Sequence, residues 1–206
     1  MNYFVTAIHT DSGKTLISAI LCEALQADYW KPVQAGSPTD SDTLRALAPE
    51  VTVHPEGYRL QMPASPHAAA RAEGITITRA GFTLPQTSRD LIIEGAGGCL
   101  VPLNDTDFVI DLANWFQAKV ILVSNLYLGS INHTLLTYEA LRARNLSPAG
   151  IIFNGPANAE SEQIILRHTG LPCLLRVARE EQVTPHTVKH YANQLRQTLH
   201  ELTGNR

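Results

Sequence analysis

The stretch TAIHTDSGKT, residues 6–15, decides the fold that this sequence encodes. It follows a short apolar run that is typical of a strand, and it leads into a segment with helical periodicity. A Gly-Lys-Thr triplet between a strand and a helix is the end of a phosphate-binding loop, or P-loop. The glycine lets backbone amides approach phosphate, and the start of the helix adds partial positive charge. Lys14 is then expected to reach the outer phosphates, and the Thr15 hydroxyl to ligate magnesium.

The match to the P-loop pattern is incomplete. The glycine that usually stands five residues before Gly13 is replaced by Ile8. A bare Gly-Lys-Thr triplet also arises by chance, and the alternative is a simple strand-to-helix turn with a solvated Lys14. The position of the triplet directly after an opening apolar strand favours nucleotide binding.

Along the rest of the chain, short apolar runs alternate with segments of helical period. Because the runs show no apolar–polar alternation and are separated by helices, we predict an α/β fold, a mostly parallel P-loop NTPase-type sheet with helices on both faces. No composition shift divides the sequence, so a single domain over residues 1–206 is expected. Strands are predicted at residues 3–6, 29–32, 91–93, 120–124, 150–154 and 173–177, and helices at residues 15–26, 131–144, 161–168 and 185–202. Residues 51–82 are the least regular and are expected to form an excursion over the sheet edge.

The composition fits a globular protein, with 44% hydrophobic and 17% charged residues. The net charge of −3 gives no electrostatic reason to expect nucleic acid or an anionic membrane as a partner. No apolar run approaches the roughly 20 residues of a membrane helix, and the first residues lack the features of a signal peptide. The three cysteines are widely spaced, which favours a reducing cytoplasm over a disulfide framework or a zinc site.

A second motif, LIIEGAGG at residues 91–98, places a carboxylate between an apolar strand and a glycine-rich turn. The C-terminal ends of parallel strands gather at one edge of a sheet, where ligands bind. Glu94 is therefore expected to emerge beside the P-loop and to ligate the metal. The alternative is a tight turn with a solvated Glu94, and the neighbouring P-loop favours the metal interpretation.

A third motif, KPVQAGS at residues 31–37, begins at another predicted strand end and is followed by Ser41 and Asp42. A second cation near a triphosphate suits the charge that develops during phosphoryl transfer. Taken alone, Lys31 is more typical of a surface lysine.

Together these motifs resemble the dethiobiotin synthetase family, in the family's order and spacing from residue 3 to about residue 155. The last fifty residues match only loosely. The resemblance rests on TDSGKT (10–15), KPVQAGS (31–37), SD (41–42), ASPH (64–67), EGAGG (94–98) with VPL (101–103), LGSINH (128–133) with LT (136–137), and GIIFN (150–154).

The resemblance implies a dethiobiotin-forming ligase of biotin biosynthesis that uses ATP as co-substrate and Mg²⁺ as cofactor. One amine of 7,8-diaminopelargonic acid captures CO2 as a carbamate, which attacks the γ-phosphate to give a carbamic-phosphoric anhydride. The second amine then closes the ring and expels phosphate. Small molecules are the expected partners, with neither nucleic acid nor membrane.

The resemblance also implies a role for individual residues. The catalytic lysines are Lys14 and Lys31. The nucleotide contacts are Asp11, Ser12, Gly13, Lys14, Thr15, Leu16, Glu94, Gly95, Ala96, Gly97 and, at the base, Asn154. The magnesium ligands are Thr15, Asp42 and Glu94. The carbamate contacts are Thr10 and Ser37, and the tail carboxylate is held by backbone amides of Gly129, Ser130, Ile131 and Asn132. In the family this last loop comes from the other subunit, so a homodimer with its active site at the interface is implied.

Three positions depart from the family pattern. A usual glycine at the opening of the loop is Ala7, a common aspartate two residues later is His9, and the aspartate that usually follows the base-contacting asparagine is Gly155. A Cβ at Ala7 disfavours positive φ, and the missing carboxylate at Gly155 removes one contact that selects adenine. His67 and His133 stand in family motifs, where a structural and a catalytic role stay equally open.

Two other classes contain the same loop. A ParA/MinD-like ATPase switch needs a surface for membrane or DNA, whereas the segment at residues 185–202 carries mixed charges. A cobyrinate amidase fragment needs a further domain with a nucleophilic cysteine. ATP turnover that requires a diamine and bicarbonate separates both from the synthetase.

Overall fold

The opening apolar run forms strand β1 (Asn2–Ala7), which lies at the centre of a seven-stranded sheet. A computed structural model describes residues 1–204, with side chains described through residue 202. The strands are β1 (Asn2–Ala7), β2 (Asp28–Trp30), β3 (Val33–Ala35), β4 (Val53–His54), β5 (Tyr58–Leu60), β6 (Leu91–Glu94), β7 (Lys119–Asn125), β8 (Gly150–Asn154) and β9 (Cys173–Val177). The helices are α1 (Lys14–Leu25), α2 (Asp40–Leu47), α3 (Pro66–Ala72), α4 (Asp111–Trp115), α5 (Ser130–Arg142), α6 (Ala159–Thr169) and α7 (Pro185–Gly204), with a 3₁₀ turn at Arg79–Gly81.

The large sheet has the order β4-β2-β6-β1-β7-β8-β9, and neighbouring strands in it pair in parallel. Strands β3 and β5 form a second, two-stranded parallel sheet. Since every strand of the large sheet runs the same way, the C-terminal ends of β1, β2, β6 and β8 meet at one edge. The P-loop, Lys31, Glu94 and Asn154 leave the sheet at that edge.

Both faces of the large sheet are buried. Successive residues of a strand point to opposite faces, so Phe4 and Ile93 enter one core while Val5 and Ile92 enter the other. Helices α1, α2 and α7 cover the second core, and helices α3 to α6 cover the first. This double burial explains why the strands read as continuous apolar runs, and it confirms the predicted fold class.

Most predicted elements agree with the structure to within one or two residues at each end. The predicted strand at residues 29–32 ends earlier, at Trp30. The irregular region at residues 51–82 contains β4 at the sheet edge, β5, α3 and the 3₁₀ turn. Helix α2 was not predicted, because its only buried residues are Ser41 and Leu44 and its apolar period is correspondingly weak. Among residues 1–204, no helix combines the length and apolar character that a membrane crossing requires.

Candidate active site

The loop between β1 and α1 turns at Gly13, the N-cap of the helix. Gly13 has a φ of +86°, in the left-handed region that glycine adopts readily. A Cβ at this position would also collide with the side-chain amide of Asn154. From the end of β8, Asn154 donates its Nδ2 hydrogen to the carbonyl of Ser12 at 2.9 Å. The loop therefore requires glycine here for two independent reasons.

Ala7 and His9, the two departures at the start of the loop, are compatible with its backbone conformation. Ala7 closes β1 in extended conformation, so positive φ is not demanded of it. The left-handed residue is Asp11, with a φ of +59°, which aspartate tolerates better than most side chains. The carbonyl of His9 accepts hydrogen bonds from Ser12 Oγ at 2.9 Å and from Lys14 Nζ at 3.4 Å. The loop is thus closed by its own side chains.

Lys14 begins α1 and is almost completely buried. Burial lowers its pKa and the positive charge of Lys31 lowers it further, while Glu94 and Asp40 partly offset both effects, so that the pKa is about 8. At neutral pH the ammonium is still mostly protonated. A poorly solvated positive charge at a helix start is well suited to phosphate.

Three oxygen-bearing side chains meet beside Lys14. Thr15 Oγ1 lies 3.0 Å from Asp40 Oδ1 and 3.0 Å from Glu94 Oε1. Thr15 belongs to α1, Asp40 begins α2, and Glu94 ends β6. The three elements therefore bring two carboxylates and one hydroxyl to a single point, and these are the hard oxygen ligands that Mg²⁺ prefers.

Lys31 bridges the two carboxylates. Its Nζ lies 2.5 Å from Asp40 Oδ2, 3.0 Å from Glu94 Oε1 and 2.8 Å from the carbonyl of Gly95. Burial alone would lower the pKa of Lys31, but the two carboxylates outweigh burial and raise it. Burial likewise favours a higher pKa for Asp40, yet the charge and hydrogen bond of Lys31 lower it. Lys31 therefore lies beside the P-loop, where the sequence analysis expected a second cation.

Glu94 is buried and its two oxygens have different partners. Oε1 faces Thr15 and Lys31, and Oε2 accepts a hydrogen bond from the hydroxyl of Tyr29 at 2.9 Å. Tyr29 lies in β2, next to β6 in the sheet, and is fully buried. Burial, together with the adjacent Glu94 charge, raises the pKa of Tyr29 well above its ordinary value, so the phenol remains a donor.

The placement of Asp42 at this site is wrong, and Asp40 stands there instead. Thr39 is the N-cap of α2 and its Oγ1 accepts from the backbone N–H of Asp42, so Asp40 is the first helical residue. Asp42 follows two residues later, which rotates it by about 200° around the helix. Its side chain is 66% exposed and accepts a hydrogen bond from Arg45 at 2.9 Å. The carboxylate therefore points away from Thr15 and Glu94.

These groups border a cavity of about 670 Å³. Its polar lining comes from the P-loop, Lys31, Asp40 and Glu94, and most of the remaining lining residues are apolar. The predicted site residues that line the cavity are Thr10, Asp11, Gly13, Lys14, Thr15, Lys31, Glu94, Ala96 and Gly97, and the lining residues that the sequence left unassigned are Val33, Gln34, Ala35, Pro38, Asp40, Pro63, Ala64, Ser65, Pro66 and Val101. Ser12 lies buried behind the loop, Leu16 packs against the α1 core, and Gly95 contributes its carbonyl to Lys31.

Five predicted substrate contacts occupy other surroundings within the described chain. Ser37 is exposed, and its hydroxyl accepts from Arg59 at 3.4 Å. Gly129 has a φ of +105° and caps the start of α5, while the preceding Leu128 is fully exposed. Within residues 1–204, the lining of the cavity does not include Ser37 or the four residues Gly129, Ser130, Ile131 and Asn132.

The two histidines of the motifs have structural partners. His67 Nδ1 lies 3.1 Å from Ser65 Oγ, and its backbone N–H donates to the carbonyl of Pro102. His133 Nδ1 is hydrogen-bonded to the hydroxyl of Tyr127, whose ring also meets His9 edge-on with centroids 5.3 Å apart. Both contacts lie at the N-terminal ends of helices, α3 for His67 and α5 for His133.

The sequence analysis did not identify Asp40 or Tyr29 as site residues, although Asp40 had a usable signal. Thr39 followed by two acidic residues is typical of a helix start, which would have placed Asp40 in the first turn. Gln34 Oε1 accepts from the backbone N–H of Asp40 at 3.1 Å and so holds that turn in place. Tyr29 carried no signal, since a tyrosine inside an apolar strand is most often a core residue.

The parallel sheet, the glycine-bounded loop and the paired lysines define a P-loop NTPase-type protein. A family model described as an AAA domain matches residues 1–187. The chain is 62% identical to a Cytophaga hutchinsonii protein named ATP-dependent dethiobiotin synthetase BioD, over 94% of this chain and 96% of that protein. It is 42% identical to a protein of the same name from Christiangramia forsetii, over 98% and 99% of the two chains. The chain belongs to the ATP-dependent dethiobiotin synthetase family, within the wider AAA-domain family.

Solved structures resemble the chain in fold. The septum site-determining protein MinD from Pyrococcus horikoshii, complexed with Mg-ADP, aligns with a TM-score of 0.58 at 13% identity, covering 99% of this chain and 98% of that one. At this identity the likeness concerns the fold alone. The chain therefore shares its architecture with MinD, and this likeness does not support a ParA/MinD-like activity.

Proposed function

We propose that the protein is a cyclo-ligase that converts 7,8-diaminopelargonic acid, CO2 and ATP into dethiobiotin, ADP and phosphate, a step of biotin biosynthesis. The observation that carries the proposal is the convergence of Lys14, Lys31 and the carboxylates of Asp40 and Glu94 on one cavity lined by both polar and apolar residues. Such a cavity accommodates a triphosphate and an aliphatic diamine together. The synthetase relatives at 62% and 42% identity support the same reaction.

The proposed chemistry balances in three steps. An amine nitrogen attacks CO2 and loses a proton, which gives a carbamate. A carbamate oxygen attacks the γ-phosphorus, and the bond from that phosphorus to the bridging oxygen of ADP breaks. The second amine then attacks the carbamate carbon and loses a proton to solvent, and the C–O bond breaks as the ring closes, so that inorganic phosphate leaves with the bonding electrons. Phosphorylation is needed because a carbamate oxygen is a poor leaving group.

The lysines supply the positive charge that phosphoryl transfer requires. Lys14 is poorly solvated, so its interaction with phosphate is stronger than that of an exposed lysine. Lys31 is held by three acceptors and therefore has a fixed position. A charge fixed in advance stabilises a transition state without reorganising as the reaction proceeds.

Thr15, Asp40 and Glu94 are the residues that would hold Mg²⁺. The Thr15 hydroxyl lies 3.0 Å from one oxygen of each carboxylate. The ammonium of Lys31 bridges the two carboxylates, so the site suits a cation. Among residues 1–204, no group of three or more His, Cys, Asp or Glu side chains suits a metal ion, which fits an ion held jointly with phosphate oxygens. When bound, Mg²⁺ neutralises charge on the β- and γ-phosphates.

The substrate contacts and the assembly belong to the same proposal. Thr10 lines the cavity and would contact the carbamate, and Ser37 would join it from the cavity rim. The amides of residues 129–132 would hold the tail carboxylate from a second subunit, because this loop does not line the cavity of its own chain in the described residues. The exposed side chains of Leu128, Ile131 and Leu136 offer an apolar surface for that contact.

The test is an ADP-release assay coupled to detection of dethiobiotin. ADP should form only when diamine and bicarbonate are both present, with one dethiobiotin for each ADP. A ParA/MinD-like switch would instead hydrolyse ATP without the diamine and respond to membrane or DNA. ATP hydrolysis independent of the diamine, with no ring product, would refute the synthetase proposal.

A further inference from the structure

We infer that Tyr29 sets the ion preference of the candidate metal site, because it leaves Glu94 only one oxygen facing the cavity and thereby favours Mg²⁺ over Ca²⁺. The inference rests on the proposed function for the position of the ion at Thr15, Asp40 and Glu94. Tyr29 itself does not line the cavity, and it contacts the side of Glu94 that faces the protein interior.

The geometry separates the two oxygens of Glu94. Oε1 lies on the cavity side, 3.0 Å from both Thr15 Oγ1 and Lys31 Nζ. Oε2 lies on the interior side and accepts the Tyr29 hydroxyl at 2.9 Å. Since both side chains are buried, water does not compete for this hydrogen bond.

Tyr29 is a fixed partner. Its strand pairs with β6 in register, Tyr29 opposite Ile92 and Trp30 opposite Ile93, and its ring belongs to the core beneath α1. A phenol in such surroundings has only two rotatable angles, both restricted by packing. The carboxylate of Glu94 is accordingly held in one orientation.

That orientation discriminates between ions. Ca²⁺ binds six to eight oxygens and readily accepts both oxygens of one carboxylate, whereas Mg²⁺ demands near-octahedral geometry with single-oxygen ligands. Bidentate ligation by Glu94 requires rotation of Oε2 toward the cavity, which breaks the hydrogen bond and leaves a buried hydroxyl without an acceptor. The lost hydrogen bond therefore weakens the binding of Ca²⁺, whereas Mg²⁺ binds through one oxygen and leaves the bond intact.

The experiment compares Tyr29→Phe with Tyr191→Phe. Tyr191 is a matched control, because it is also buried and donates to a carboxylate, Glu180, at 2.5 Å, but it lies in α7. Dissociation constants for Mg²⁺ and Ca²⁺ are measured by calorimetry on the full chain with a non-hydrolysable ATP analogue. Circular dichroism and analogue affinity without metal confirm folding. We expect the preference for Mg²⁺ over Ca²⁺ to fall about fivefold in Tyr29→Phe, the equivalent of one hydrogen bond, and to stay unchanged in Tyr191→Phe.

A second variant tests the same inference without altering Tyr29. In Glu94→Gln the amide offers a single oxygen, so both ions should bind more weakly by the same factor. A selective loss of Ca²⁺ binding would show that Glu94 is already bidentate in the parent protein and would overturn the inference. It would equally be overturned if Tyr29→Phe weakened both ions equally or neither, or if the parent bound neither. Because binding is measured with an unreactive analogue, a failure of ring formation in the ADP assay is a separate result.

Discussion

Asp40 and Asp42 form a natural pair for testing the site. Both are aspartates in the first turn of α2, two residues apart, and the structure turns only Asp40 toward the cavity. Asp40→Asn replaces a carboxylate that contacts Lys31 at 2.5 Å and Thr15 at 3.0 Å. Asp42→Asn removes a carboxylate whose partner is the exposed Arg45. The two substitutions are chemically identical, so a difference between them reports position.

The magnitude follows from the Lys31–Asp40 contact. A hydrogen bond to a charged group contributes about 1.5–3 kcal/mol. The Asp40 side chain is 36% exposed, so solvent screening places the contribution near the lower end of that range. At about 1.4 kcal/mol per factor of ten, kcat/KM for ATP should fall roughly tenfold in Asp40→Asn, and further if a metal ligand is lost too. An exposed ion pair contributes little, so Asp42→Asn should stay within about twofold of the parent.

The assay is ADP release at saturating diamine and bicarbonate, with the melting temperature of each variant as a check on folding. Arg45 keeps its Asp42 partner in Asp40→Asn and loses it in Asp42→Asn, so the control variant also reports what that exposed ion pair contributes. The reasoning would be refuted if Asp42→Asn were the more damaging change, or if both variants retained full activity. Equal damage to both would indicate that the start of α2, and not the carboxylate of Asp40, matters.

Three further outcomes are expected. Because the pKa of Lys14 is about 8, the free enzyme loses this positive charge as pH rises through 8, and kcat/KM for ATP should decline above that pH; a flat profile to pH 9 would contradict this role. Since Gly155 supplies no carboxylate near Asn154, CTP or GTP should support catalysis within about tenfold of ATP, and a hundredfold preference for ATP in kcat/KM would contradict the prediction. Leu128→Asp should convert a dimer into a less active monomer by light scattering, and a fully active monomeric parent would exclude the shared site.

Local sequence was sufficient for the part of the site that one strand and its following turn determine. Glu94 is the last residue of β6, and Lys14 and Thr15 begin the helix that follows β1. The parallel sheet brings the C-terminal ends of these two strands together. The glycine requirement at position 13 follows from local backbone geometry as well. For the same reason the fold class was predictable, since buried parallel strands leave a continuous apolar pattern.

The sequence pattern did not show at which residue the short helix α2 begins, and so it did not show which side chains face the cavity. In TDSD, residues 39–42, either aspartate fits a ligand, and the choice depends on which residue caps α2. The cap is fixed by Thr39 Oγ1 and by Gln34 from a different segment. A shift of two residues reverses the direction of a side chain, so an error that is small along the chain becomes large in space.

The apolar part of the cavity lining depends on tertiary pairing. Strand β3 pairs with β5, which brings residues 63–66 into the cavity lining together with the P-loop. Both strands have only three residues, and neither carries a strong period. The sequence identified ASPH at residues 64–67 as a family motif but gave no reason to place it against the nucleotide loop.

The hydrogen bonds of Lys31 show how the free site can accept phosphate without being rebuilt. All three of its N–H groups already have acceptors, namely Asp40, Glu94 and the carbonyl of Gly95. A phosphoryl oxygen can be contacted only if one of these is given up. Release of a carboxylate leaves a buried charge without its partner, which costs several times more than the release of a neutral carbonyl. We therefore expect the bond to Gly95 to be the one exchanged, so that Lys31 meets the phosphate while both carboxylates still fix its position.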